Sequence, residues 1–220
     1  MYKRKEQESC ILNNTIDLVK RVDNHIYFYG PVTSKSCMDL NIHIHEICNP
    51  KEEKKCENTT AAVKVAEKAP EKYKYIYLHI NSFGGSLFAC FSTIDTIKNC
   101  PLPVISIIEG GSASAATLIS VVCDHRIIMS NSHMLIHQLS SGLYGKFEEI
   151  KDDYGNCTEL MKQLKNIYVN HTKLKEEELD DILKHDVWWN AEKCLEVGLV
   201  DVIHNHADKK TVNVKKVKVV

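Results

Sequence analysis

Two apolar runs of the sequence each end in small residues, at points where a strand would give way to a helix. The first run ends in Gly84-Gly85, and the second continues into "EGGSASAATL", which contains Ser112 and Ser114. Glycine leaves its backbone N–H open to a ligand because it has no Cβ, and a helix N-terminus favours a developing negative charge. These junctions could stabilise an oxyanion beside a serine hydroxyl. Each feature alone is also typical of a tight turn or a helix cap.

A serine nucleophile needs a base, because its hydroxyl is unreactive at its own pKa. His137 ends the apolar run in "NSHMLIHQL", and the ends of strands are where α/β sheets expose chemical groups. Asp186, in "LKHDVWWNAEK", could orient a histidine, although it is one of 29 acidic residues. Order and spacing alone leave a triad unproven, since a single histidine at a strand end is usually structural.

The sequence offers little support for a metal site or a disulfide framework. His43 and His45 form an H-x-H pair, but side chains two residues apart on a helix diverge, so we expect a surface pair. The nine cysteines contain no C-x-x-C pair, and several lie in apolar segments, which predicts reduced, buried thiols. We therefore predict that the chain binds no metal and no cofactor.

Composition excludes some classes of partner and compartment. The chain has 220 residues, enough for one domain with a substantial core, and 28 basic residues balance 29 acidic ones. This balance gives no sign of a nucleic-acid partner. No apolar stretch reaches the length of a membrane span, and the charged opening "MYKRKEQESC" is not followed by a secretory apolar core. We expect a cytoplasmic protein with no membrane partner.

Apolar runs alternate with segments of helical periodicity along most of the chain, which predicts the α/β class. A lysine-rich polar segment at 48–74 interrupts this order and is predicted to be a surface insertion within a domain at 25–206. Residues 1–24 form a short N-terminal segment and 207–220 a basic C-terminal tail. A strand that ends in a turn at Gly30-Pro31 is predicted within 25–32. Further strands are predicted at 75–80, 104–109, 126–130, 134–138 and 198–203, and helices at 34–47, 87–97, 112–122, 147–169, 175–183 and 190–197.

Four stretches carry a resemblance to a known family. In chain order they are "YLHINSFGGSLFACFSTIDTI", "EGGSASAATLIS", "NSHMLIHQ" and "HDVWWNAEKCLEVGLVD". Together they resemble the proteolytic subunit of the Clp protease, the ClpP family of serine peptidases, from about residue 27 to residue 203. The resemblance implies a repeated ββα (ClpP/crotonase-like) spiral fold with a long interlocking helix and a handle strand.

Carried over position by position, the resemblance assigns the chemistry. Ser114 becomes the nucleophile, His137 the general base and Asp186 the group that orients the imidazole. The backbone N–H groups of Gly85 and Ala115 become the oxyanion hole. Ser112 falls where the family has alanine and is assigned to structure. The implied activity is that of a serine endopeptidase acting on unfolded proteins or peptides.

The resemblance also implies partners. Family members form two stacked heptameric rings, and an AAA+ unfoldase that uses ATP feeds them polypeptide. "SSGLYGKFEEIKDD" resembles the handle strand and helix, which makes Leu143, Tyr144 and Gly145 a substrate-binding strand. His185 stands where the family commonly has an arginine that pairs between rings, so we expect ring stacking to depend on pH.

Several positions depart from the family pattern without removing a catalytic side chain. Phe83 and Leu139 replace prolines, and Ala115-Ala116 replaces Met-Gly, which bears on specificity. The family has an apolar pocket where the unfoldase docks, and Tyr77 retains one of its aromatic residues. At two other positions of this pocket, His79 replaces an aromatic residue and Asn99 replaces an apolar one.

Three alternatives remain beside the ring peptidase. A crotonase-like acyl-CoA enzyme shares the fold and the oxyanion hole but does not need the three triad positions. A non-catalytic ring subunit would have lost triad members. A stand-alone peptidase of the phage head-maturation type would need no unfoldase, which suits the altered docking positions.

Overall fold

The computed structural model describes residues 18–49 and 73–204, and a single seven-stranded sheet organises them. The strands are β1 (Val19–Val22), β2 (His25–Tyr29), β3 (Ile76–Ser82), β4 (Val104–Ala113), β5 (His125–Met129), β6 (His133–Leu135) and β7 (Val202–His204). The helices are α1 (Ser34–Cys48), α2 (Leu87–Lys98), α3 (Ala115–Val121), α4 (Phe147–His171), α5 (Glu176–Ile182) and α6 (Ala191–Glu196).

The order of strands in the sheet is β1-β2-β3-β4-β5-β7, and β6 pairs with the end of β4. All neighbouring pairs are parallel except β1 and β2, which form an antiparallel hairpin. Parallel strands need crossover connections, and α1, α2 and α3 provide them. The predicted α/β class is confirmed. The sheet begins at Val19, inside the predicted N-terminal segment 1–24.

The core lies between the sheet and α1, α2 and α3. In β2, alternate residues Ile26 and Phe28 are buried, as a strand with one face toward the core requires. Leu40 and Ile44 of α1 are four residues apart and both are buried, which places them on one stripe of the helix. The buried residues of this strand and of this helix therefore pack in the same core.

Two predicted strands are shorter than expected. The run at 134–138 pairs only as far as Leu135, because β4 ends at Ala113 and the chain turns at Ser114. The run at 198–203 pairs only from Val202. The turn before this strand contains Gly198, whose φ is +76°. After this turn the chain pairs with the edge of β5 only from Val202 onward.

The long helix α4 is amphipathic, but only its C-terminal half is covered in this chain. An apolar stripe on this helix includes Ile150, Tyr154, Leu164 and Ile167, and the last two of these residues are buried. Ile150 and Tyr154 of the same stripe are exposed, Tyr154 by 70%. The N-terminal half of α4 thus presents an apolar surface to the outside of the single chain.

The segment 139–146, which leads into α4, has no regular secondary structure. The predicted handle strand at Leu143, Tyr144 and Gly145 is therefore not formed in the single chain. A strand needs a neighbour that pairs with its N–H and C=O groups, and no described strand lies alongside this segment. Both Leu143 and Tyr144 are exposed.

Some predicted features fall outside the described residues. Of the predicted insertion at 48–74, the structure describes only 48–49, at the end of α1, and 73–74; the tail at 207–220 is not described. His43 lies on α1 and pairs with Glu46 on the same helix, with 3.4 Å between ring nitrogen and carboxylate oxygen. None of the helices within 18–49 and 73–204 has the length and apolarity needed to cross a membrane.

Candidate active site

Ser114 occupies a strained turn between β4 and α3. Its φ is 55° and its ψ −130°, in a region that non-glycine residues rarely adopt. Such a conformation costs about 1–3 kcal/mol and persists only where its surroundings enforce it. The backbone N–H of Ser114 donates to the carbonyl of Leu135 over 2.9 Å, and the Ser114 carbonyl accepts from the Thr117 N–H over 3.0 Å. The turn is thus fixed from both sides.

The hydroxyl of Ser114 remains available for chemistry. Ser114 stands at the N-cap of α3 but makes no side-chain capping bond, and the residue is partly exposed. Ser112, two residues earlier, is fully buried in β4, and its hydroxyl has no partner. Of the two serines at this junction, Ser114 is the one that a substrate could reach.

His137 and Asp186 are in contact. The ring Nδ1 of His137 lies 3.2 Å from Oδ1 of Asp186. His137 follows β6 by two residues, and Asp186 lies in the loop between α5 and α6. A two-way backbone bridge between Met134 and Trp189, with N···O distances of 2.9 and 2.8 Å, joins the two segments. A carboxylate at Nδ1 fixes the tautomer that leaves Nε2 free to accept a proton.

Ser114 and His137 lie just beyond the ends of two neighbouring strands, β4 and β6. Ala113 pairs with Leu135 in the β4–β6 register, so Ser114 and His137 both follow the paired ends of these strands. Among the described residues, the structure records no hydrogen bond between the Ser114 hydroxyl and His137. Catalytic hydrogen bonds in substrate-free sites are often long and tighten only in the complex.

Gly84 and Gly85 place the end of β3 against Ser114. A Cβ built on Gly84 would lie 2.6 Å from the Ser114 Cβ and 3.0 Å from the Ala115 nitrogen. The β-bridge to Val32 uses the Gly84 carbonyl and the Ser86 N–H, which leaves the Gly85 N–H outside that bridge. Ala115 is the first residue of α3, where an N–H has no acceptor within its own helix. Both predicted oxyanion donors are thus free of local helix and bridge bonds.

We predict that Gly84→Ala lowers the free energy of unfolding by about 2–4 kcal/mol. The φ of Gly84 is +88°, which disfavours alanine, and the new methyl group would overlap backbone atoms of Ala113 and Ala115. Urea denaturation measures the change. Gly142→Ala is the matched control, since nothing lies within 4 Å of a Cβ at that position. Equal stability of the two variants would contradict this close approach.

Two residues that support Ser114 were not identified from the sequence. The Thr117 hydroxyl donates to the Ser114 carbonyl over 2.6 Å and lies 2.5 Å from the hydroxyl of Tyr168 in α4. Tyr168 is almost completely buried, and burial raises the pKa of its phenol. Tyr168 follows Leu164 by four residues, so the apolar stripe of α4 could have included it.

The Phe83 ring, at a position where the sequence departs from the family pattern, forms an aromatic pair beside the site. It packs edge-on against the ring of Trp188, with 5.8 Å between the centroids. Both rings approach Gly111, since a Cβ there would lie 3.4 Å from Phe83 and 3.6 Å from Trp188. Phe83 is 72% exposed. An apolar surface therefore lies one residue from Gly84.

Two further departures, Leu139 and Asn99, and the predicted substrate-binding residue Leu143 contact residues outside the catalytic triad. Leu143 lines an open hollow of about 560 Å³ together with Phe88, at the start of α2. Leu139 donates its backbone N–H to the sulfur of Met161 over 3.1 Å. Asn99 ends α2, and its side chain donates to the carbonyl of Asp95 over 2.8 Å.

His79 lies in a polar network on the face of the sheet opposite α2. Its two ring nitrogens lie 2.9 Å from Nδ1 of His25 and 3.0 Å from a carboxylate oxygen of Glu109. Tyr27 stacks on the His79 ring at 4.4 Å, and Tyr29 donates its hydroxyl to Glu109. Burial, and then the proximity of His79, lowers the pKa of His25. A hydrogen-bonded cluster of His25, His79 and Glu109 therefore lies at this position of the sheet.

No group of three or more histidine, cysteine or acidic side chains within the described ranges is arranged to hold a metal ion. The groups that the structure brings together at the candidate site are side chains and backbone donors. They amount to a hydroxyl on a strained turn, an imidazole with a carboxylate at Nδ1, and two backbone donors.

Comparison with known proteins places the chain in a family. The chain is 33% identical over 132 residues to the "ATP-dependent Clp protease proteolytic subunit 2" of Treponema denticola, a match covering 59% of this chain and 66% of that protein. The chain thus spans slightly less than two thirds of this relative. The sequence model of the Clp protease family matches residues 33–207, which include every predicted triad and oxyanion residue. The chain belongs to the Clp protease family.

Proposed function

We propose that this chain is a serine-type endopeptidase that cleaves unfolded polypeptides inside an oligomeric ring. The observation that carries the proposal is the arrangement at the ends of β4 and β6. Ser114 sits on a strained turn at the start of α3, and the contact between His137 and Asp186 lies just beyond the neighbouring strand. Family membership supports peptide-bond hydrolysis as the reaction.

The proposed reaction begins when His137 Nε2 takes the proton of the Ser114 hydroxyl, and the oxygen attacks the substrate carbonyl carbon. The resulting imidazolium donates its Nδ1–H to Asp186, which stabilises its positive charge. The protonated imidazole then gives its proton to the leaving amine as the peptide C–N bond breaks. Water activated by the same histidine hydrolyses the acyl-enzyme and regenerates the serine.

The N–H groups of Gly85 and Ala115 stabilise the negative charge that develops on the carbonyl oxygen in the proposed reaction. Removal of one such donor in an oxyanion hole typically costs about 10²–10³ in kcat. The N-terminus of α3 adds its own positive partial charge at this position, although the helix has only seven residues. Backbone donors explain why a change from Met-Gly to Ala115-Ala116 leaves the chemistry possible.

Assembly into rings is supported by the apolar surface of α4. The exposed stripe residues Ile150 and Tyr154, together with the unpaired segment 139–146, would be covered by a second copy of the chain. A strand at Leu143 to Gly145 would then find the pairing neighbour that it lacks here. The proposal includes stacked heptameric rings, by analogy with the family.

We predict that stacking of these rings weakens as the pH rises from 6 to 8. His185 is exposed, and histidine loses its charge in this range whereas arginine keeps it. Sedimentation velocity at both pH values measures the stacked fraction, and His185→Arg should make stacking independent of pH. A monomer under all conditions would contradict the ring, and identical stacking in both proteins would remove His185 from the explanation.

An unfoldase partner is part of the proposal, but one observation favours a second candidate. The network of His25, His79 and Glu109 makes the expected docking face polar, and an apolar loop would have to displace its hydrogen bonds. This favours a stand-alone peptidase that accepts flexible substrates without ATP. Degradation of an unfolded protein by the purified chain, without any ATPase, would distinguish the stand-alone peptidase from a strictly unfoldase-dependent one.

The function itself is tested with an internally quenched peptide library and mass spectrometry of the products. We expect cleavage of internal peptide bonds, with a preference for large apolar residues that can lie against Phe83 and Trp188. Hydrolysis of acyl-CoA with no peptide cleavage would instead indicate a crotonase-like enzyme. Absence of both activities in an assembled ring would indicate a non-catalytic subunit.

A further inference from the structure

Two cysteine thiols are in contact at the ends of α1 and α2. Cys48 is the last residue of α1, and Cys100 follows α2 by two residues. Their sulfur atoms lie 3.3 Å apart, and both thiols are free. A disulfide bond is about 2.05 Å long, so the sulfurs would need to approach by only about 1.2 Å.

The surroundings allow the two sulfur atoms to approach each other and allow a reagent to reach them. Both thiols lie at helix ends, which adjust more easily than helix interiors. They line an open hollow of about 420 Å³, together with polar residues such as His45 and Asp95. A small oxidant could enter this hollow, whereas Cys90 and Cys194 are buried.

We propose that Cys48 and Cys100 form a reversible disulfide when the protein meets a small disulfide oxidant such as glutathione disulfide. The Cys48 thiolate attacks one sulfur of the oxidant, which releases one thiolate and leaves a mixed disulfide on Cys48. The Cys100 thiolate then attacks the Cys48 sulfur and releases the second thiolate. Two protein thiols are oxidised, and one oxidant disulfide is reduced to two thiols.

The environment of Cys100 determines how the exchange depends on pH. Burial, with the neighbouring Cys48 thiol adding to it, raises the pKa of Cys100 to about 12. Its thiolate is therefore scarce near neutral pH, and disulfide exchange through this thiol is slow there. The rate of closure should rise about tenfold per pH unit between pH 7 and pH 9, because it follows the thiolate fraction.

The bond would join two packed helices and close the loop from residue 48 to residue 100. A cross-link that closes a long loop stabilises a protein mainly by restricting the unfolded chain. We expect the thermal midpoint to rise by roughly 5–10 °C on oxidation and to return on reduction.

The test uses the full chain incubated with glutathione disulfide at pH 8, followed by alkylation, digestion without reduction and mass spectrometry. We expect a peptide linked through Cys48 and Cys100, and a rise in the thermal midpoint that dithiothreitol reverses. Cys100→Ser should instead retain one glutathione on Cys48. Cys157→Ser is the matched control, since that partly buried cysteine lies on α4, and it should form the link normally.

Three results would overturn the proposal. The first is recovery of Cys48 and Cys100 as alkylated thiols from oxidised wild-type protein. The second is a glutathione that persists on Cys48 in the wild type. The third is a link from either residue to another cysteine, such as Cys56. All three are read from the wild-type protein, so none depends on the folding of a variant.

Discussion

Ser114→Ala is expected to reduce kcat for peptide cleavage by at least about 10⁴-fold, to the background of the assay. The hydroxyl is the attacking atom in the proposed reaction, and nothing else at the turn can replace it. Alanine should tolerate the turn no worse than serine, because the Ser114 side chain makes no capping bond there. The thermal midpoint and the ring assembly should therefore stay close to those of the wild type.

Ser112→Ala provides the matched control for this variant. It removes a hydroxyl two residues away that is buried and without a partner. Removing such a group should leave kcat within about twofold and stability unchanged or slightly higher. If Ser112→Ala were inactive while Ser114→Ala kept its turnover, the nucleophile would be assigned to the wrong serine.

Asp186→Asn is expected to lower kcat by about 10⁴-fold while KM changes little. The carboxylate accepts from the His137 Nδ1–H, whereas an amide can donate to Nδ1 and so favour the tautomer with its proton on Nε2. That tautomer cannot take the serine proton. Steady-state kinetics on the quenched peptide measures both parameters.

Asp181→Asn makes the same chemical change on α5, away from His137. Asp181 pairs with Lys184 on the surface, and that hydrogen bond lowers the pKa of its carboxyl. Loss of this ion pair should leave kcat unchanged, since exposed ion pairs contribute little to stability. Equal effects of the two substitutions would show that Asp186 acts only through surface charge.

Much of the sheet could be predicted from the sequence, because the residue patterns of its strands differ from those of the helices between them. The aromatic and β-branched run of β2 and the helical spacing in α1 both appear as patterns of residue type, and the structure confirms the strand and the helix. Strand ends were less predictable. The end of β6 at Leu135 depends on the turn at Ser114 in the neighbouring strand, and a local pattern does not contain that information.

The candidate site shows the same division. The residue types at Ser114, His137 and Asp186 could be identified from motifs, and the structure places the last two in contact. The bond from Thr117 to Tyr168 joins residues 51 positions apart, so only the folded chain reveals it. The predicted handle strand at Leu143 to Gly145 is not formed, because no described strand lies alongside it to pair with it.

The central claim is that Ser114 is an activated nucleophile, and labelling with a fluorophosphonate tests it most directly. The serine oxygen displaces fluoride from phosphorus, which leaves a stable phosphonate ester on the attacking residue. We expect peptide mapping of the assembled wild-type protein to find this ester on Ser114, and His137→Ala to label far more slowly. An ester on another serine, or no labelling of the assembled protein, would contradict the account.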